Sequence, residues 1–113
     1  QSGTGNPINA PIPKIIDYSL IDNNFYATDK EAFNTCRFFA KKYGLLIGGS
    51  AGGVLYKALE DINKKANEEK AVILLCDGGE KYLNNVFNDE WMEKNNLIDK
   101  KIEKVISSWI EEA

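Results

Sequence analysis

The sequence contains no histidine among its 113 residues, and it has only two cysteines. Without histidine, the chain cannot itself supply the usual general base of a serine hydrolase. Cys36 and Cys76 stand alone in apolar segments and lack the spacing of metal ligands. We therefore expect two buried thiols rather than a disulfide, and we expect no metal site.

Charge and hydropathy argue against two further classes of protein. The chain has fourteen basic and seventeen acidic residues and no long basic run, unlike a nucleic-acid-binding domain. No stretch approaches the ~20 consecutive apolar residues that cross a bilayer, and no signal peptide opens the chain. We expect a soluble, cytoplasmic protein that binds neither nucleic acid nor membrane.

The beginning of the chain resembles the interior of a longer protein. The first residue is Gln1 rather than methionine, and the first 13 residues are rich in glycine, asparagine and proline. At 113 residues and 43% hydrophobic composition, the chain is long enough for one compact domain. We expect one hydrophobic core.

Two amphipathic helices are predicted in the first half of the chain. Thr28 and Glu31 have the spacing of a capping box, and apolar residues then recur every three or four positions. Gly44 stands where a left-handed C-cap residue belongs. A second apolar stripe covers residues 54–62. Further helices are predicted to begin near Glu80, near Asn88 or Asp89, and near Asp99.

Three apolar segments are predicted to be strands: residues 23–27, 45–48 and 71–76. The last, AVILLC, is apolar on both faces, as in a parallel strand that helices cover on each side. The alternation of strands and helices predicts an α/β fold with a mostly parallel sheet sandwiched by helices. In such folds, ligands bind at the carboxyl ends of the strands.

Two glycine-rich turns follow the predicted strands and form the candidate site. GGSAGG, residues 48–53, places four glycines around Ser50, and DGGE follows at residues 77–80. Glycine could simply permit a tight connection between elements. Four glycines around one serine exceed that need, because each costs backbone entropy.

Three functional interpretations of the Ser50 turn compete with the structural one. The turn fits the G-x-S-x-G pattern of a nucleophile elbow, but the absent histidine argues against a hydrolase. Free amide groups at a helix N-terminus could bind an anion, although the turn matches neither phosphate-binding glycine motif. The hydroxyl could instead meet the edge of a flat heteroaromatic ligand that the glycines allow to lie close to the backbone.

Five segments together resemble the C-terminal portion of the cysteine synthase and cystathionine β-synthase family, which uses pyridoxal 5′-phosphate. The segments are IPKIIDYSLID, EAF, YGLLIGGSAGGV, AVILLCDGGEKYL and NDEWM, in the family's order, across roughly residues 3–93. The resemblance implies the fold known as type II. It makes residues 1–113 the C-terminal part of the cofactor-binding α/β domain.

The resemblance assigns cofactor contacts to both turns. Ser50 matches the family serine whose hydroxyl bonds to the pyridine nitrogen of the cofactor. Such a neutral partner makes the ring a weaker electron sink, which favours β-elimination and β-replacement over transamination. Asp77 and Gly78 match the turn that flanks the same edge of the ring. The other implied positions are the small residues beside the ring, Gly48, Gly49 and Gly52, and a substrate loop with Gly3, Gly5 and Asn6, of which Asn6 could instead cap a turn.

The resemblance also implies what this chain lacks. The family's Schiff-base lysine belongs to a preceding part that no segment here resembles, so no catalytic residue is expected in this chain. The implied activity acts on a serine- or cysteine-type amino acid, as in a cysteine synthase, a cystathionine or lanthionine synthase, or a sulfide-releasing cysteine lyase. The implied partners are the amino-acid substrate, the remainder of the same enzyme, and a second copy in a homodimer. The alternative is a non-catalytic α/β domain that binds a small molecule and retains the fold.

Overall fold

The computed structural model describes residues 18–21, 24–64 and 71–111, and these residues are mostly helical. Within them, four α-helices and two short 3₁₀-helices follow one another along the chain. The α-helices are α1 (Asp29–Tyr43), α2 (Gly49–Lys64), α3 (Asp89–Lys94) and α4 (Lys100–Glu111), and the 3₁₀-helices are Tyr18–Leu20 and Glu80–Tyr82. None of the helices in these ranges is long and apolar enough to cross a membrane.

The predicted α/β fold with a mostly parallel sheet is wrong for the part of the chain that the structure describes. That part contains no strand, and its one β-type pairing is an isolated antiparallel bridge between Ile47 and Gly78. Residues 24–27, 45–46 and 71–76 belong to no regular element. A strand needs a neighbour that pairs with its backbone groups, and apolar periodicity alone cannot show whether one is present.

Residues 71–76 contact the helices with one side only. Ile73 and Leu75 pack against the core, whereas Val72 is 99% exposed and Leu74 is 81% exposed. This alternation has the two-residue period of a strand. The prediction that both faces of AVILLC are buried is wrong, because the described residues cover only one of them.

Helix α1 begins and ends where the sequence predicts. The Thr28 hydroxyl accepts from the Glu31 amide at 3.1 Å, and the Glu31 carboxylate accepts from the Thr28 amide at 2.9 Å. Gly44 has φ of 65°, and its N–H donates to the carbonyl oxygen of Ala40 at 3.1 Å. Both signals of the sequence, the capping box and the left-handed glycine, are confirmed.

Helices α1 and α2 cross in close contact at Gly52. A methyl group at this position would collide with the carbonyl oxygen of Ala32 and with Sγ of Cys36. Cys36 is fully buried, and its thiol donates to the carbonyl oxygen of Gly48 at 3.2 Å. The crossing therefore requires a residue without a side chain. Other buried apolar residues of this core are Phe33, Ile47, Ala51, Leu55, Val86 and Met92.

Helix α4 is fixed against α1 and α2 by polar and aromatic contacts. The buried Asn34 side chain donates to the carbonyl oxygen of Leu97 at 2.6 Å and accepts from the Asp99 amide at 3.2 Å. The rings of Tyr56 and Trp109 lie 5.3 Å apart between centroids. Asn34 thus sets the start of α4, and the ring pair fixes its far end.

A buried arginine connects α1 to the start of α3. Arg37 is 8% exposed, donates to the carbonyl oxygen of Val86 at 3.1 Å, and forms an ion pair with Asp89. The hydrogen bond from Arg37 lowers the pKa of the Asp89 carboxyl below its ordinary value. Asn88 caps α3 by accepting from the Trp91 amide at 3.0 Å. This arrangement makes the α1–α3 contact sensitive to acid.

We expect the Asp89→Asn substitution to reduce the loss of stability on acidification. The folded-state pKa of Asp89 lies below its unfolded value of about 3.9, so the stabilisation is complete above that value and is lost as pH falls through the folded pKa. The urea midpoint at pH 7 and at pH 3 measures the difference, with Glu90→Gln in the same turn as the control. An equal fall in midpoint for wild type and Asp89→Asn would contradict the role of the ion pair.

Candidate functional site

The structure brings the two glycine-rich turns of the sequence side by side. The Gly48 amide donates to the carbonyl oxygen of Asp77 at 3.1 Å, and the Gly79 amide donates to that of Leu46 at 3.2 Å. We call residues 46–50 and 76–79 the paired turns. They are held by backbone bonds, so their relative position does not depend on long side chains.

Ser50 lies in the first turn of α2, at the end of the first of the paired turns. The residue is 3% exposed, and its Oγ lies 3.2 Å from Sγ of Cys76, with either atom able to donate. Cys76 itself is exposed. The hydroxyl is therefore nearly enclosed, but the thiol beside it faces solvent.

The Asp77 carboxylate is held within the second turn. Its Oδ2 accepts from the Tyr82 hydroxyl at 3.3 Å and pairs with Nζ of Lys81 at 3.5 Å. Its Oδ1 is buried and has no hydrogen-bond partner, and a methyl group at Gly48 would collide with this carboxylate. An unsatisfied buried oxygen costs roughly 1–3 kcal/mol. Gly48 therefore permits a close and costly approach between the two turns.

The other candidate glycines also lie against protein atoms. A methyl group at Gly49 would come within 3.0 Å of the Phe33 ring, and one at Gly78 would meet the Glu80 carboxylate. Gly52 faces α1. Packing thus accounts for the small residues at Gly49 and Gly52, whereas the exposed Glu80 side chain can move away from Gly78. The predicted contact of these glycines with a ligand stays a prediction. Gly3, Gly5 and Asn6 lie outside the described residues.

The two cysteines occupy opposite environments. Burial raises the pKa of the Cys36 thiol to about 12, so this group is a neutral thiol at physiological pH. The expectation of two buried thiols is confirmed for Cys36 and wrong for Cys76. The strand-like alternation of residues 71–76 could have revealed the exposure of Cys76, since it places Cys76 on the same side as Val72 and Leu74.

No group of residues in the described ranges has the composition of a metal site.

We expect one fast-reacting thiol in the folded chain. Cys76 is exposed and should react quickly with an aromatic disulfide reagent, whereas Cys36 should react only after denaturation. Absorbance of the released aromatic thiol measures both phases. Cys76→Ser should remove the fast phase and Cys36→Ser should leave it unchanged. Two thiols that react at equal rates in the folded chain would contradict the assigned environments.

Comparison with known proteins finds relatives that are 32–44% identical to this chain over most of its length. No protein-family model matches it. A Sinorhizobium fredii protein named "Putative cysteine synthase" is 44% identical over 110 residues, which cover 97% of this chain and 33% of that protein. Cystathionine beta-synthase of Apis mellifera is 32% identical over 87% of the chain and 19% of that protein. That of Dictyostelium discoideum is 33% identical over 78% and 18%. The chain spans a third or less of the length of these relatives.

Proposed function

This chain is homologous to cysteine synthase and cystathionine β-synthase over most of its length, and on that premise we propose that it forms part of a pyridoxal 5′-phosphate site. The enzyme eliminates or replaces the β-substituent of a serine- or cysteine-type amino acid. When bound, the cofactor supplies the electron sink for this chemistry. The observation that carries the proposal is the position of Ser50, in the first turn of α2, where its hydroxyl contacts the second of the paired turns.

The groups around Ser50 fit a pyridine nitrogen chemically. An unprotonated ring nitrogen accepts one hydrogen bond, and a hydroxyl group supplies such a bond without adding charge. The group beside Ser50 Oγ is a thiol, whereas the Asp77 carboxylate accepts a hydrogen bond from Tyr82 and pairs with Lys81. A carboxylate on the nitrogen would favour its protonated form. The Ser50–Cys76 contact and the contacts of Asp77 are therefore both consistent with a neutral hydroxyl, rather than a carboxylate, as the partner of the ring nitrogen.

Three residues of the paired turns have distinct tasks in this proposal. Ser50 binds and orients the ring through its hydroxyl. Gly48 holds the second turn through the hydrogen bond that its N–H donates to the carbonyl oxygen of Asp77, and this hydrogen bond keeps Cys76 opposite Ser50. Gly78 flanks the edge of the ring that carries the pyridine nitrogen. The catalytic residues come from the remainder of the enzyme, Gly3, Gly5 and Asn6 of this chain contribute to the substrate loop, and a homodimer is the proposed assembly.

A substrate panel tests the proposed function. Full-length protein loaded with pyridoxal 5′-phosphate is mixed in turn with cysteine, with serine, and with O-acetylserine plus sulfide. We expect release of sulfide or acetate that disappears when the cofactor is stripped. Sulfide from cysteine alone indicates a desulfurising enzyme, and consumption of O-acetylserine with added sulfide indicates a cysteine synthase. Failure of the full-length protein to bind the cofactor would refute the proposal.

A further inference from the structure

We propose that Cys76 is a positioning residue for Ser50, through a hydrogen bond in which the thiol is the donor. The Cys76 thiol donates its proton to Ser50 Oγ and thereby leaves the hydroxyl proton of Ser50 directed at the ligand. This inference rests on the proposed function, because the ligand atom concerned is the ring nitrogen. The starting observation is the distance of 3.2 Å between Cys76 Sγ and Ser50 Oγ.

The direction of this hydrogen bond follows from the number of protons available. A serine hydroxyl has one proton and two acceptor lone pairs, and a thiol has one weakly acidic proton. If the Ser50 hydroxyl donates to the sulfur, its single proton is no longer available for a ring nitrogen. If the Cys76 thiol donates, Ser50 still has a proton to donate. Binding of an acceptor nitrogen at Ser50 therefore selects the arrangement in which Cys76 is the donor.

The backbone holds Cys76 in this position. Cys76 directly precedes Asp77, whose carbonyl oxygen accepts from the Gly48 amide at 3.1 Å. Gly48 is two residues before Ser50, so the backbone bond and the side-chain contact join the same two turns. Ser50 is 3% exposed, which restricts the rotation of its side chain. The contact is thus a consequence of how the turns pair.

The charged residue next to Cys76 in the chain has partners of its own. Asp77 directly follows Cys76, and its Oδ2 accepts a hydrogen bond from Tyr82 and pairs with Lys81. Its Oδ1 is enclosed against Gly48. Cys76 therefore sets the direction of the Ser50 hydroxyl by a neutral contact, which preserves the neutral partner that the ring nitrogen requires.

A double-mutant cycle on the full-length protein tests the inference. Affinity for pyridoxal 5′-phosphate is measured by fluorescence titration for wild type, Cys76→Ala, Cys76→Ser, Ser50→Ala and the Ser50→Ala/Cys76→Ala double variant. We expect Cys76→Ala to weaken binding roughly two- to tenfold, as for the loss of one hydrogen bond. Cys76→Ser keeps a donor and should stay within about twofold of wild type. In the Ser50→Ala background, Cys76→Ala should have no further effect.

Three results would overturn the inference: an unchanged affinity in Cys76→Ala, an equal loss in Cys76→Ser, or a full effect of Cys76→Ala in the Ser50→Ala background. If wild type binds no cofactor, or if Ser50→Ala binds as well as wild type, the proposed function fails first and this inference fails with it. Should Cys76→Ala not fold, Cys76→Val fills a similar volume without a donor and replaces it in the cycle.

Discussion

Gly52→Ala is expected to lower the free energy of unfolding by about 1–2 kcal/mol, even though alanine is the better helix former. The methyl group would enter the space held by the carbonyl oxygen of Ala32 and by Sγ of Cys36. The first of these atoms belongs to the backbone of α1 and cannot rotate away. Overpacking typically costs about 1–3 kcal/mol, and alanine regains about 1 kcal/mol of helix propensity. Because the backbone of α1 is rigid, we expect the cost of overpacking to exceed the gain in helix propensity.

Chemical denaturation measures this effect, and Val54→Ala is the matched control. Val54 lies in the same helix and is 41% exposed, so its truncation should change stability by less than about 0.5 kcal/mol. A Gly52→Ala variant as stable as wild type would show that α1 and α2 can separate at little cost. The inference that the crossing of α1 and α2 requires glycine at position 52 would then be wrong.

Ser50→Ala is expected to lower the turnover of the full-length enzyme roughly 10- to 100-fold, the equivalent of about 1.4–2.7 kcal/mol. The proposed bond joins Ser50 to the cofactor rather than to the substrate. With the cofactor bound, this bond would strengthen if negative charge developed in the ring during the reaction. The loss should therefore fall mainly on kcat, with KM little changed.

Ser108→Ala provides the control for the Ser50 substitution. Ser108 is an exposed serine whose hydroxyl donates to the carbonyl oxygen of Val105 in its own helix at 2.8 Å, so its loss should leave turnover unchanged.

Ser50→Asp tests the same contact by replacing the neutral hydroxyl with a charged group. A carboxylate there favours a protonated ring nitrogen and should shift the absorbance of the cofactor and slow β-replacement. Unchanged turnover together with unchanged spectra would contradict the role of the hydroxyl.

The sequence predicts local structure well where the signal is itself local. The capping box of Thr28 and Glu31, the left-handed Gly44 and the cap at Asn88 depend on atoms within a few residues, and each lies where its pattern indicates. The start of α4 at Lys100 is close to the expected residue 99. The family resemblance is also confirmed, since it depends on the order of several segments rather than on one element.

The errors concern features that depend on distant parts of the molecule. Residues 71–76 have the composition of a buried strand, but whether a strand forms depends on a neighbour, and the described residues supply none. The same dependence explains Cys76, whose exposure follows from what covers that segment. For Gly52, the sequence shows a glycine, but the helix that requires it lies outside the turn and is visible only in the structure.

A crystal structure of the full-length protein with pyridoxal 5′-phosphate tests the central claim most directly. The distance to measure is that between Ser50 Oγ and the pyridine nitrogen. We predict about 2.6–3.2 Å, the range of a hydrogen bond, with the ring lying against the paired turns. A ring nitrogen that faces a different side chain, or a cofactor bound away from residues 46–50 and 76–79, would contradict the account.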